Sequence, residues 1–345
     1  IPYQNGVIFR GNLRGEVEPS HTRLTANLTQ RLGDRYRLFL IEGPDAKPVV
    51  VVLPSSNDPK PTTVVQGIFA VLLGLASLVT CMEASGVMLG FDLISAPQRL
   101  VEVLPMTLGL FTVLGAHEIG HRVLAKRYQV RLSPPFLIPT WQVGSLGAIT
   151  RFETLVPNRT ALFDIAFAGP AAGGAIALLM LIVGLLLSHE GSGFPISTEF
   201  FQGSILVGTL SRVVLGDILQ QSVVTVHPLM LTGWLGLVLT AINVMPAGQL
   251  DGGRIMQSIY GRKTAGRTTV ITLVLLGLAA LVNPLALYWA ILILFLQRDL
   301  ERPALNELSE PDDTRAALGL LAFFLMAAIL LPLTPSLAGR LGIGG

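Results

Sequence analysis

After about sixty mixed residues the chain becomes a succession of long apolar runs, and this one feature leaves few folds open to it. Hydrocarbon offers no water to a peptide group, so a chain that enters it must satisfy its own backbone, most simply as helices. A span needs about 20 apolar residues, and Thr63–Met82, Val101–Ala125, Ala161–Leu187, Leu229–Ala247 and Ala316–Leu333 meet that need. Thr268–Val282 and Leu285–Leu296 are shorter and are separated by Asn283-Pro284. A single helix through both would exceed most spans, so a tight hairpin is expected. Ile205–Leu215 is too short to cross and carries Arg212, which predicts an interfacial helix. The expected fold class is an all-α polytopic membrane protein with about 7 transmembrane segments.

Composition agrees. Hydrophobic residues make up 51% of the chain and charged ones 13%, with a mean hydropathy of +0.63. Soluble domains average about 25% charged residues. A net charge of +2 is too small to suggest a nucleic-acid partner. The single cysteine, Cys81, lies in an apolar run and forms no internal disulfide. Repeats and low-complexity tracts are not evident.

Residues 1–60 alone read as water-soluble. Val7–Arg10 and Tyr36–Ile41 read as strands, and so does the β-branched run Val49–Leu53 between prolines. Leu24, Leu28 and Leu32 mark one helix face, with Ser20 as its cap. This predicts a small β-α-β-β unit over 1–60, a linker at Pro54–Pro61, and a membrane domain over 61–335. The chain opens on Ile1 rather than methionine, so a preceding segment, with room for a targeting sequence, is expected.

Loop charge sets the orientation. Lys126, Arg127, Arg131, Arg151 and Arg159 follow the second span against Glu153, and Arg254, Arg262, Lys263 and Arg267 follow Asp251. The loops holding Glu83 with Asp92, and Glu190 with Glu199, contain no lysine, and the first contains no arginine before Arg99. The basic loops and residues 1–60 are therefore expected on the cytosolic or stromal face.

Into this apolar frame the second span brings His117-Glu118-Ile119-Gly120-His121. On a helix the two imidazoles share one face, one turn apart, where they can hold a zinc ion with the glutamate as general base. Ionisable groups at membrane depth mark a functional site by default. With five histidines in the chain, chance supplies one of the pair readily but not both around a glutamate. Two imidazoles and a water leave tetrahedral zinc one protein ligand short. The candidate is Asp251, at the end of Asn243-Val-Met-Pro246-Ala-Gly-Gln-Leu250-Asp251-Gly252-Gly253. By the charge rule His121 and Asp251 lie at the same depth. Pro246 frees carbonyls and is expected to unwind the helix around a polar cavity. Asn243 is a candidate for holding a substrate carbonyl or oxyanion, with a helix–helix hydrogen bond as the plainer alternative.

Between the second and third spans, Leu132–Phe152 combines paired prolines and glycines with β-branched and aromatic residues, which predicts short strands at the membrane surface. An exposed strand edge there would hold an unwound peptide in extended form. Of the remaining polar residues, Asp164 reads either as support for a zinc-bound imidazole or as a solvated helix start. His227 reads as interfacial, and Gly169 and Gly173 as close helix packing. Asn158-Arg-Thr160 matches a glycosylation sequon but falls on the cytosolic side.

With these residues the chain resembles the site-2 protease family of intramembrane zinc metalloproteases (M50-like). That family pairs a membrane-embedded His-Glu-x-x-His with a later Asn-x-x-Pro-x-x-x-Leu-Asp-Gly, and both stand here unsubstituted over a resemblance of roughly residues 60–300. The resemblance implies His117, His121 and Asp251 as ligands of one zinc, Glu118 as the base, and membrane-protein helices as substrates. Gly11-Asn-Leu-Arg14, Leu146-Gly-Ala148, Ala168-Gly-Pro170 and His227-Pro228 are similar to a narrower plastid and cyanobacterial branch. That branch includes plant proteases named for ethylene-dependent gravitropism deficiency and a yellow-green leaf. It implies a photosynthetic membrane, either cyanobacterial plasma or thylakoid membrane or a chloroplast one. The gap between the second and third spans, about 35 residues, is too short for a PDZ domain.

Two rivals remain open at this level: a zinc or cation transporter, and a scaffold that binds membrane helices without cutting them. No paired broken helices in repeated halves favour the first, and the intact motifs weigh against the second. The natural substrate, its trigger and the oligomeric state are not legible. The topology makes a direct prediction: cysteines placed at Tyr128 and Arg262 should label from one side of the membrane and one at Glu190 from the other. Labelling of the first two from opposite faces would mean that the span count is wrong.

Overall fold

The computed structural model describes the chain apart from residues 1, 4, 5, 44–46, 142, 298, 344 and 345, so the expectation about Ile1 lies outside the described residues. The N-terminal unit is built from β1 (Pro2–Tyr3), β2 (Gly6–Arg10), α1 (Val17–Leu32), β3 (Tyr36–Glu42) and β4 (Pro48–Pro54). The strands form one antiparallel sheet in the order β1-β2-β4-β3, with Leu40 facing Val50 across the β3–β4 pair. The α/β reading holds, with one strand more than expected. Ser20 is not the cap of α1. Glu16 occupies that place and Ser20 already bonds back to its carbonyl. The helix starts early because Pro19 falls in the first turn, where an amide proton has no partner to lose.

The membrane core begins with α2 (Val64–Met88), capped by Thr63, whose hydroxyl accepts from the Gln66 amide while the Gln66 side chain accepts from Thr63. Then come α3 (Leu100–Arg127), a hairpin of β5 (Phe136–Thr140) and β6 (Gly144–Ile149), and α4 (Arg159–Leu186). The next segment holds β7 (Phe194–Ser197), α5 (Ile205–Leu215) and β8 (Val223–Val226), which pairs antiparallel with β7 across α5, an arrangement that the sequence did not suggest. It leads into α6 (Pro228–Asn243), α7 (Asp251–Ala279), α8 (Pro284–Leu292), α9 (Asp313–Leu330) and α10 (Pro335–Leu341). Among the described residues four helices are long and apolar enough to cross a membrane, namely Val64–Met88, Pro97–Arg127, Arg159–Leu186 and Asp313–Leu330, and Pro228–Asn243 and Ala286–Phe295 are shorter apolar helices.

Two expectations need correction. The span placed at Leu229–Ala247 stops at Asn243, since residues 244–250 leave the helix. The helix expected at Thr268–Val282 is present but starts earlier: α7 is two helical stretches that meet at Gly261, whose backbone is non-helical (φ 80°, ψ 170°), and the second stretch runs from there to Ala279. That positive φ suits glycine alone among common residues. The bend exposes the carbonyls of Ser258 and Ile259, and buried Arg159 donates to both at 2.6 Å. The hairpin expectation holds: the chain turns at 281–283, and Trp289 of α8 packs back with Leu273 and Leu276 of α7.

At the centre lies α4, between α3, α6 and α7. Gly184 and Gly233 let α4 and α6 cross with backbones nearly touching, since a Cβ on either would overlap the other helix. Large apolar side chains face outward on α2, α7 and α9, with Val79, Leu278 and Phe324 exposed at 59%, 59% and 68%. A surface of this kind needs an apolar solvent.

A strap of chain after α8 joins the two parts. Leu40 of β3 donates to Leu305 and accepts from Glu307, while Leu305 and Asn306 donate to Val156 and Pro157. Against this junction lies His21 of α1, with a buried Nε2 that has no hydrogen-bond partner among the described residues. Burial holds its pKa below the ordinary 6.5, outweighing the nearby Leu38 backbone and Glu18. The unfolded unit then binds a proton that the folded one refuses, so stability rises with pH and is lost as pH falls below about 6.5. Hydrogen exchange of β3 should therefore quicken between pH 7.5 and 5.5, and His21→Leu should abolish that dependence. An unchanged pH response in the variant would rule out His21 as its source.

Candidate metal centre

The last turns of α3 carry His117, Glu118 and His121 inward, against the middle of α4 and the start of α7. Asp251 does not end a helix, as its place after an apolar run suggested. It opens α7, with its carboxylate at a helix N-terminus whose dipole favours negative charge. The chain reaches it through the unwound 244–250 segment. Gly252 and Gly253 make the return tight enough, because a Cβ on Gly252 would overlap the Val244 carbonyl and one on Gly253 the Gly248 carbonyl. The freed backbone around Pro246 is braced from α7, where Thr269 accepts from the Gly248 amide at 2.9 Å and Thr272 approaches the Pro246 carbonyl at 3.5 Å.

These elements bring three ligand atoms together. His117 Nε2 lies 3.1 Å from Asp251 Oδ2, His121 Nε2 lies 3.4 Å from the same oxygen, and the two imidazole nitrogens are 3.0 Å apart. Nδ1 of His121 stands 2.7 Å from the Ile165 carbonyl, which can only accept, so this nitrogen carries the proton and Nε2 keeps its lone pair. Lone pairs and a carboxylate so crowded repel one another unless a cation lies between them. Tetrahedral zinc with bonds of about 2.0–2.1 Å sets neighbouring ligand atoms roughly 3.3 Å apart, so these residues fit the ion. Among the described residues this is the one such His/Asp/Glu/Cys cluster.

Glu118 stands beside the triangle. Its Oε2 accepts from Thr150 at 2.9 Å, and Arg122, one turn on, lies 2.6 Å from its Oε1. Arg122 also donates to the Ser133 carbonyl. Thr150 is in turn fixed by Arg254, which donates to its carbonyl at 3.0 Å, pairs with buried Glu301 at 3.0 Å, and lies 3.8 Å from Asp251 Oδ1. Sequence reasoning missed this ring and counted Arg254 and Arg159 as loop charges, whereas both are buried. Arg122 and Arg254 were legible in principle, four residues after Glu118 and three after Asp251 on helices. Nothing local marks Thr150 or Glu301.

Asn243 lines the same cavity as His117, Glu118 and Asp251. Its Nδ2 donates to Leu239 of its own helix at 3.0 Å, rather than across helices, and lies against Gly147 of β6. Asp164 is not support for an imidazole. It pairs with Arg315 of α9 and accepts from Tyr128, while the Ile165 carbonyl next door takes the supporting role. His227 caps α6, accepting from the Leu229 amide at 3.2 Å. The cavity is about 30 Å³ and is closed on one side by Trp289 and Leu292 of α8. That is room for a water or two but not for a peptide.

An apolar helical core that brings a His-Glu-x-x-His together with a remote, buried aspartate points to one class, and the chain belongs to it: peptidase family M50, whose profile matches residues 105–283. Residues 1–60 match the family described as the EGY3 middle domain. Among individual proteins, the chain is 40% identical over 338 residues to the probable zinc metalloprotease EGY2, chloroplastic, of Arabidopsis thaliana, covering 96% of this chain and 61% of that protein. It is 36% identical over 376 residues to EGY1 of the same plant (98% and 68% covered) and 31% identical over 353 residues to EGY3 (96% and 62%). The chain thus spans 61–68% of the length of these relatives. No solved structure matches it.

Gly169 and Gly173 of α4 pack closely, as expected, but specifically against the histidines. A Cβ on Gly169 would overlap the His121 imidazole, and one on Gly173 would come within 2.9 Å of His117 Cβ. Gly169→Ala should therefore lower zinc content per chain in a metal analysis. Gly67→Ala, on an open face of α2, should not. Full zinc in Gly169→Ala would mean that the His121 ring is not held where the structure places it.

Proposed function

We propose that the chain is an intramembrane zinc metalloendopeptidase that cuts single transmembrane segments of other proteins near the cytosolic or stromal face. The observation that carries this reading is the triangle of His117 Nε2, His121 Nε2 and Asp251 Oδ2 with Glu118 at its side. His117, His121 and Asp251 would hold one zinc per chain. When bound, that ion supplies a Lewis acid that polarises a carbonyl and acidifies water. Glu118 accepts the proton of the attacking water and returns it to the leaving amine. Thr150 and Arg122 hold its carboxylate in place between the two transfers. Asn243 lines the cavity, and its amide, released from Leu239, is suited to donate to the oxyanion that forms on the carbonyl.

The membrane reading extends to about seven crossings, with α6, the distal part of α7 and α8 joining the four long helices. It places the basic loops and a soluble unit over residues 1–60 on one face of a membrane domain over 61–335, with α5 in the interface. Relatives named as chloroplastic support a photosynthetic membrane. β6 supplies Leu146 and Ala148 to the cavity wall, so an unwound substrate can lie along it as a further strand. Trp289 and Leu292 of α8 must withdraw to admit it.

Cleavage of a reporter transmembrane protein tests the assignment. Glu118→Gln should retain zinc and lose all turnover, since an amide takes no proton from water. Asn243→Ala should retain zinc and lose roughly 10²–10³ in kcat. Turnover near the wild-type level in Glu118→Gln would sink the general-base assignment and favour ion transport. Zinc without cleavage in the wild type would favour a non-cutting scaffold.

A further inference from the structure

The soluble unit does not merely sit beside the membrane helices; a cleft runs between them. A groove of about 1160 Å³ lies under the sheet, floored by apolar residues such as Phe39, Val51 and Leu53. Through Lys60, Arg151 and Arg302 it shares a wall with a second cavity of about 180 Å³. That cavity reaches Gln249, which also lines the metal centre. The groove exceeds the roughly 300–1,000 Å³ of a small-molecule pocket and suits a length of peptide.

The charges along these walls are unbalanced. Arg10, Lys60 and Arg151 are exposed and have no ion-pair partner among the described residues, and the guanidinium of Arg302 meets only the Asn57 carbonyl. Two of the four acids of the walls are already ion-paired. Asp58 pairs with Arg37 and Glu301 with Arg254, which leaves Glu42 and Glu153, the latter accepting only from the Thr62 amide, against four basic side chains.

From this we infer that the cleft receives the cytosolic or stromal flank of the substrate and selects flanks that are acidic. The inference rests on the proteolytic reading and names the substrate class of that same site. A helix cut near this face must lead its flank out past Gln249, and the cleft is the route the structure offers. Transmembrane segments ordinarily carry lysine and arginine on this side. A basic cleft repels that majority and admits the acid-flanked minority, which is selection by repulsion as much as by attraction.

Two reporter substrates identical except for an Asp/Glu or a Lys/Arg flank test the inference on the full chain in nanodiscs. The wild type should show a KM about tenfold lower for the acidic flank at similar kcat, a difference that shrinks in high salt. Arg10→Glu/Lys60→Glu should invert the order, a gain on the basic substrate that misfolding cannot produce. No preference in the wild type, or an equal loss on both substrates in the variant, overturns the inference. Fluorescence anisotropy of labelled acidic and basic flank peptides with the Glu118→Gln chain separates this from the proteolytic reading. Selective binding of the acidic peptide with neither reporter cut keeps the cleft and removes the protease. Cleavage with neither preference nor selective binding does the reverse.

Discussion

Two imidazole nitrogens and a carboxylate oxygen held 3.0–3.4 Å apart in an apolar interior are the constraint on which the rest of this structure depends. Burying a carboxylate without compensation costs several kcal/mol, on the order of a domain's whole stability. A cation at the centre of the triangle turns that cost into attraction. The surrounding chain is shaped to keep the triangle closed. α4 gives up side chains at Gly169 and Gly173, α6 gives up its last turns, and α7 starts with Asp251 so that a helix N-terminus backs the carboxylate.

Around the triangle lies a second set of charges that must also be satisfied out of water. Arg254 touches four partners: Glu301, the Thr150 carbonyl, the outer oxygen of Asp251 and the face of Phe152. Breaking a buried pair of this kind by removing one partner typically costs about 3–5 kcal/mol. Here the loss would reach further, because Thr150 in turn holds Glu118. One guanidinium therefore links Glu118, through Thr150, with Asp251, although the two lie on different helices. Glu301 belongs to the strap that pairs with β3 through Leu305 and Glu307, so the N-terminal sheet and the His117–His121–Asp251 cluster share a mechanical connection.

What could be read in the sequence was what is written locally. The two motifs are short, and their spacing on a helix or beside a proline already fixes which atoms can meet. Long apolar runs gave α2, α3, α4 and α9 to within a few residues, since hydropathy over 20 residues needs no tertiary context. Misreadings came where a remote partner decides. Asp251 looks like the end of a helix until Thr269 and Thr272 are seen to brace the segment before it. Gly261 bends α7 because Arg159, a hundred residues earlier, takes the carbonyls that the bend releases. β7 and β8 are four residues each, and their pairing across 25 intervening residues leaves no periodic trace in either.

The three ligand-type atoms meet where α3 passes the middle of α4 and the start of α7, and their surroundings are not purely apolar. Hydrolysis consumes water, and the cavity beside Glu118 is about 30 Å³ with Thr150, Gln249 and Arg254 on its walls. Gln249 also lines the neighbouring cavity beside Lys60 and Arg302, and Arg254 pairs with Glu301 on that cavity's wall. A site deeper in the bilayer would have apolar walls and stay dry, while one outside it could not meet a helix still in lipid. The unwound residues 244–250 resolve the conflict, because broken backbone is tolerated at membrane depth only where it borders such a polar cavity. Asn243, Pro246 and Asp251 thus form one structural unit: the helix must stop for the Asp251 carboxylate to turn toward His117 and His121, and its stopping leaves the small cavity that Asn243 and Asp251 share.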